Sequence, residues 1–226
     1  MILKNKVIIV TGASDGIGKQ VAIKLAAQGA TLALIARTQR DIVETDKIKF
    51  YPCDLRHTKE IETTINKVIS DFGKIDILLN IAGIWQKMMP VEEIEESVVD
   101  DVIQTNLTGL IHITRLTLPH LKKQKEAAII NVISKSGVVS QAGQSVYTAS
   151  KYGVRGFTEV LKIDLKDSNI RVAGVYQSGT NTEMFAKVGD HPPVEKFTDP
   201  SDLAETIVFM LSRPAKIWLP EVHVEY

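Results

Sequence analysis

Lys6-Val7-Ile8-Ile9-Val10-Thr11-Gly12-Ala13-Ser14-Asp15-Gly16-Ile17-Gly18 is the stretch that decides the fold. Residues 6–10 form a short run rich in β-branched residues, which suits a buried parallel strand. Residues 19–28 then carry Val21, Ala22, Leu25 and Ala26 at helical spacing. Strand, glycine turn and helix start, in that order, aim backbone N–H groups and a helix N-terminus at an anion. Gly12 and Gly16 permit a tight turn and close approach of a pyrophosphate, and Gly18 lets the helix pack tightly on the strand. The spacing is G-x-x-x-G-x-G rather than G-x-G-x-x-G. A glycine turn without a ligand is the competing reading. The position directly after an N-terminal strand favours dinucleotide binding.

Outward from this turn, strand and helix patterns alternate. Residues 31–36, 47–51, 75–80, 127–133 and 170–176 read as strands, and 217–219 as a short last one. Residues 58–72, 97–123 and 146–165 read as helices. Pro200-Ser201-Asp202 opens another, with Asp199 or Ser201 as its cap. The stretch between Arg37 and Cys53 is short, so any helix there is abbreviated. The pattern predicts an α/β fold: a doubly wound, mostly parallel, Rossmann-like sheet with helices on both faces, as a single domain over residues 1–226.

A chain of 226 residues can bury one good core. Its 27 acidic and 27 basic residues balance, so neither a nucleic-acid footprint nor a membrane-binding basic stripe is implied. Cys53 is the sole cysteine, which excludes an internal disulfide and suits a reducing compartment. The chain enters a strand almost at once, leaving no room for a signal peptide, and no apolar run is long enough to span a bilayer. A cytoplasmic protein is expected. His57, His112, His120, His191 and His223 are scattered, so no metal site is expected.

Tyr147 and Lys151, in Val146-Tyr147-Thr148-Ala149-Ser150-Lys151, lie four apart and share a helix face. A free phenol has a pKa near ~10. A cation about 4 Å away contributes roughly 1–4 kcal/mol, or about one to three pKa units in favour of phenolate. Tyr147 can then give or take a proton near neutrality. Taken alone, the pair reads equally as an ordinary helix turn, because Y-x-x-x-K is common.

The combination resembles the short-chain dehydrogenase/reductase family, in its compact, 3-oxoacyl-carrier-protein-reductase-like branch, over nearly the whole chain. Thr11 to Gly18 is similar to that family's T-G-x-x-x-G-x-G turn. Asn80-Ile81-Ala82-Gly83 is similar to N-N-A-G, with Ile81 in place of the second Asn. Asn106 occupies the helix asparagine position. Ser134, thirteen residues before Tyr147, fits the catalytic serine. The resemblance implies a catalytic set of Ser134, Tyr147, Lys151 and Asn106. Tyr147 exchanges the proton, Ser134 orients the substrate oxygen, Lys151 lowers the tyrosine pKa and holds the nicotinamide ribose, and Asn106 anchors a water. It also implies cofactor contacts from Gly12, Ser14, Asp15, Gly16, Ile17 and Gly18, from Asp54 near the adenine, and from Asn80, Ala82 and Gly83 at the ribose. Thr182, in Gln177-Ser178-Gly179-Thr180-Asn181-Thr182, matches the threonine that holds the nicotinamide amide, although Gln177 and Ser178 replace the family's Pro and Gly. Asp54 reads equally as a helix cap ahead of Thr58.

Strand two ends in Ile35-Ala36-Arg37-Thr38, without the acidic residue that takes a ribose 2′-hydroxyl. Arg37 can pair with a 2′-phosphate, and family members with this pattern usually prefer NADPH. Asp15 argues the other way, since NADPH users often carry Lys or Arg there. The expectation is NADP(H) preferred, with NAD(H) possible. Trp85, Met88 and Met89 are candidates for a substrate pocket, and residues 182–198, with Met184, Phe185 and Pro192-Pro193, for a small lid. The expected activity is carbonyl reduction, or its reverse, on a small molecule. The alternatives are a dinucleotide-binding sensor or scaffold without turnover and a sugar-nucleotide epimerase, the last disfavoured by the lack of a large C-terminal domain. Apolar residues on more than one face of the two long helices predict a homodimer or homotetramer.

Overall fold

The computed structural model describes residues 1–214 and 216–225. Seven strands are named in chain order: β1 Val7–Thr11, β2 Thr31–Ala36, β3 Ile48–Pro52, β4 Ile77–Asn80, β5 Ala127–Val132, β6 Ile170–Gln177 and β7 Glu221–Val224. They form one sheet in the order β3-β2-β1-β4-β5-β6-β7, and every neighbouring pair is parallel. Six α-helices connect them: α1 Gly16–Ala27, α2 Thr58–Phe72, α3 Glu96–Ile103, α4 Gly109–Leu121, α5 Ser145–Asp164 and α6 Pro200–Ser212.

Strand alternation divides the core into two layers. Ile8 and Val10 face a cluster with Val21 and Leu25 of α1 and Leu203, Ile207 and Met210 of α6. Ile9 faces the opposite layer, with Ile61 and Val68 of α2, Ile113 of α4 and Leu161 of α5. Burial on both faces is why the strands read as continuous apolar runs. The strand order reverses between β1 and β4, and the crevice beyond their carboxyl ends is where such sheets bind ligands.

Several boundaries differ from the sequence expectation. Helix α1 begins at Gly16 rather than Lys19, so the glycine turn itself forms the first helical turn. The helix expected over 97–123 is broken by a π turn at Gln104–Thr108, between α3 and α4. Asp199, not Ser201, caps α6: its Oδ1 accepts from the Ser201 N–H at 2.7 Å. The last strand is Glu221–Val224, not 217–219. There the Ile217 N–H closes a turn onto the Pro214 carbonyl, and the Trp218 indole donates to the Val172 carbonyl at 3.0 Å, so the apolar run packs by side chains before strand pairing begins.

Candidate active site

The glycine turn and the segment after β4 meet at the switch point. Thr11 joins them: its Oγ1 accepts from the Ile81 and Ala82 N–H groups at 2.9 and 3.0 Å and donates to the Leu79 carbonyl at 3.3 Å. Gly12 has φ +67°, and a Cβ there would lie 2.8 Å from the Ala82 Cα. A Cβ on Gly18 would lie 2.2 Å from the Gly12 carbonyl oxygen. Both positions require glycine, and the absent side chains leave a cradle of backbone over the α1 N-terminus.

That cradle opens a groove of about 630 Å³. Gly12, Ser14, Asp15, Gly16, Ile17, Gly18, Arg37, Asp54, Ala82, Gly83 and Thr182 all line it. Asn80 does not. It is buried behind the wall, where its Nδ2 donates to Thr114 Oγ1 at 3.0 Å and to Asn131 Oδ1 at 2.8 Å, tying β4 to β5 and α4. Asp54 lines the groove but caps no helix, since α2 starts after His57 without a side-chain cap. Its carboxylate is forked by the Arg56 guanidinium, which holds its pKa below the usual value. Asp15 forms ion pairs with Lys187 and, at 3.5 Å, with Arg40, and Arg40 also pairs with Glu183 at 3.0 Å. Arg37 is exposed at the groove and forms no ion pair among the described residues. Residues 177–182 turn back far enough to bring Thr182 against the glycine turn, where a Cβ on Gly16 would lie 3.1 Å from its Cγ2.

Helix α5 carries Tyr147 and Lys151, both buried. Ser134 follows β5 at φ 111° and ψ 153°, a strained setting for a serine. Its hydroxyl accepts from the Ser136 N–H at 3.2 Å and lies near enough to the Tyr147 phenol to pull its pKa down. Lys151 Nζ donates to the Val132 carbonyl at 3.2 Å and stands 5.6 Å from the Tyr147 ring centre. The charge argument from sequence predicts a lowered phenol pKa. Here burial pushes Tyr147 up to about 12, against a smaller downward pull from Ser134, and burial pushes Lys151 down to about 8. Desolvation outweighs the attraction that spacing alone suggests.

Asn106 sits in the π turn with its side chain fully engaged. Its Oδ1 accepts from the Ile84 N–H at 2.8 Å, and its Nδ2 donates to the Ile84 carbonyl at 3.0 Å and Ser150 Oγ at 3.2 Å. The side chain therefore pins the chain after β4 to α5.

Two residues after β4 complete the site: Gln86, which the sequence reading missed, and Trp85, which it named as a pocket candidate. Gln86 Oε1 accepts from the Val146 and Tyr147 N–H groups at 3.1 and 2.9 Å, capping the first turn of α5 from sixty positions away. Trp85 stands edge-on to Tyr147, with ring centres 4.5 Å apart. Trp85, Ile17, Thr182 and Met184 line both the groove and a second cavity of about 390 Å³, which Tyr147 and Ser134 also line. The arrangement sets a proton-bearing phenol and a hydroxyl beside a nucleotide-sized groove. No three metal-ligating side chains stand together, and no helix is long and apolar enough to cross a membrane, among the described residues.

A parallel sheet with a glycine cradle at its switch point, and a tyrosine–lysine helix beside it, defines a Rossmann-like α/β enzyme class. A family model described as short chain dehydrogenase matches residues 6–193. The chain is 32% identical to a 3-oxoacyl-[acyl-carrier-protein] reductase of Thermotoga maritima, across 94% of this chain and 92% of that one. Among solved structures, a serine dehydrogenase complexed with NADP+ superposes with a TM-score of 0.89 at 28% identity, covering 96% of this chain and 94% of that one. A 3-ketoacyl-(acyl-carrier-protein) reductase from Brucella melitensis complexed with NADH gives 0.86 at 27%, covering 99% and 97%. The chain belongs to the short-chain dehydrogenase family, as an NAD(P)-dependent oxidoreductase acting between alcohol and carbonyl.

Proposed function

We propose that this protein reduces a small-molecule carbonyl to an alcohol, or runs the reverse, with NADP(H) preferred over NAD(H). One observation carries the reading: Tyr147 and Ser134 together line a cavity that shares part of its lining with the groove beside the glycine cradle. The residues fit a dinucleotide, because the space that a Cβ at Gly12 or Gly18 would fill is left open to backbone N–H groups at a helix N-terminus. A nicotinamide dinucleotide held there supplies or accepts the hydride.

Tyr147 gives its proton to the oxygen of the carbonyl being reduced, and takes it back in alcohol oxidation. Ser134 hydrogen-bonds the same oxygen and fixes its direction, its strained backbone holding the hydroxyl in place. Lys151 supplies the positive charge that favours loss of the phenolic proton. Asn106 is a positioning residue, holding Ile84 and Ser150 around this cluster. Arg37, exposed and in no ion pair among the described residues although its charge reaches Asp54, favours a 2′-phosphate at the end of β2. NADP+ and NADH in the related structures support the cofactor class.

Tyr147→Phe is the test. It should retain cofactor binding and lose about 10²–10⁴-fold in turnover, the range a positioned acid–base group contributes. A near-normal rate in this variant sinks the assignment. Wild-type protein that binds the cofactor but turns over no carbonyl across a broad panel supports a sensor instead, which the Gln177-Ser178 replacement favours.

A further inference from the structure

The charge on the wall of the 390 Å³ cavity bears on which carbonyl compound enters, provided that Tyr147 and Ser134 handle the carbonyl as proposed. Asp190 lines this cavity and not the groove beside the glycine cradle, so its carboxylate is directed at the substrate rather than at the dinucleotide. It is half-buried. Its Oδ2 accepts from Trp85 Nε1 at 2.9 Å, and it joins no ion pair among the described residues. The other charges on the lining cancel, since Lys135 pairs with Glu225 at 3.1 Å. One negative charge is left over, partly withdrawn from water and without a cation in contact. Such a charge is costly alone and is stabilised by a cationic ligand.

Aromatic rings flank that carboxylate. Tyr147, Trp85, Phe185 and Phe197 follow one another around the same cavity, with ring centres 4.5, 5.2 and 5.7 Å apart and successive planes at 64°, 69° and 61°. The bond to Asp190 fixes the plane of the indole, and the Asp190 N–H donates to the Phe185 carbonyl at 3.1 Å. The carboxylate and two of the rings therefore hold one another in place. A carboxylate among aromatic rings is the chemistry that binds an ammonium group. Because Trp85 touches both Asp190 and Tyr147, that group lies about one indole away from the carbonyl oxygen. We propose that the cavity takes a carbonyl compound bearing an ammonium group a few bonds from the carbonyl, or the matching amino alcohol in reverse, with Asp190 as its specificity-determining residue. The bond changes are those of the proposed reduction, hydride to the carbonyl carbon and the Tyr147 proton to its oxygen; the ammonium only binds.

Initial rates at neutral pH, with NADPH and with NADH, on three ketones of one skeleton test this. They are 4-(dimethylamino)butan-2-one, which is a cation there, its neutral carbon isostere 5-methylhexan-2-one, and the anion levulinate. The cation should exceed both others in kcat/KM by at least about tenfold. Asp190→Asn keeps an oxygen for the Trp85 indole and removes the charge, so it should lower the cation-to-isostere ratio by about tenfold. Isostere or levulinate turned over as well as the cation overturns the inference and leaves the catalytic reading standing, as does an unchanged ratio in folded Asp190→Asn. Should that variant fail to fold, the wild-type ratios decide alone. Absence of turnover on all three ketones with either cofactor overturns the catalytic reading, and this one with it.

Discussion

Lys151 carries a conflict between stability and chemistry. Its ammonium is buried and, among the described residues, donates to the Val132 carbonyl alone, and burial lowers its pKa from 10.5 to about 8. Between those values the unfolded chain binds more protons at this site than the folded one. Stability from this group therefore rises with pH across about 8 to 10.5, and the penalty is fully present below pH 8. Lys151→Met removes a penalty of roughly 3 kcal/mol at neutral pH and a hydrogen bond worth about 1. The variant should be inactive yet more stable by about 2 kcal/mol at pH 7, with the gain shrinking towards pH 10.5; urea unfolding at both pH values checks it. A gain that is absent at pH 7, or that does not shrink, removes the premise of a charged buried lysine. At the far end of the groove, Arg37→Asp takes away a phosphate partner and supplies a hydroxyl acceptor. Titration of both dinucleotides should show preference moving from NADPH towards NADH, and an unchanged ratio would show that Arg37 is not the selector.

At the scale of elements, the catalytic helix depends on a residue far from it in sequence. Gln86 Oε1 serves the Val146 and Tyr147 N–H groups, while its Nε2 donates to the Gly143 carbonyl at 3.1 Å. Gln86→Leu leaves the two N–H groups of α5 without an acceptor and should cost about 1–2 kcal/mol in stability. Because the first turn also aims the Tyr147 side chain, kcat should fall more than KM rises. Steady-state kinetics with unfolding curves would expose a wrong assignment by an unaltered kcat in folded Gln86→Leu. This cap also shows where sequence legibility ends. The strand runs, the α2 span and the glycine turn were readable because hydrophobic period and turn chemistry are local. Gln86 to Tyr147, Trp85 to Asp190, and Arg40 and Lys187 to Asp15 are contacts between distant segments, with no periodic trace. The Tyr147 and Lys151 pKa directions were not legible either, because burial depends on packing from the whole sheet. The Glu221–Val224 strand was missed because a short edge strand with polar residues at every second position has weak apolar patterning, while Ile217-Trp218-Leu219 beside it has a strong one.

At the scale of the whole molecule, the two-layer core consumes one face of each helix and leaves apolar residues outside. On α5, Val154 and Leu161 are buried, as the sheet-facing stripe requires, whereas Val160 and Ile163, one turn apart, are 56% and 66% exposed. On the other layer of the sheet, Phe209 of α6 is 50% exposed. Scattered exposed apolar residues are normal, but two a turn apart on one helix face form a stripe that a second copy can cover. A two-fold axis across α5 gives a closed, isologous pair, and the α6 side offers a second axis for a dimer of dimers. We expect a mass of two or four chains by light scattering after size exclusion at micromolar concentration. Val160→Glu with Ile163→Glu should shift that mass downwards while leaving circular dichroism unaltered, since neither side chain enters the core. A single-chain mass for the wild type would show that the α5 stripe stays in water, and assembly would then play no part in supporting the tyrosine-bearing helix.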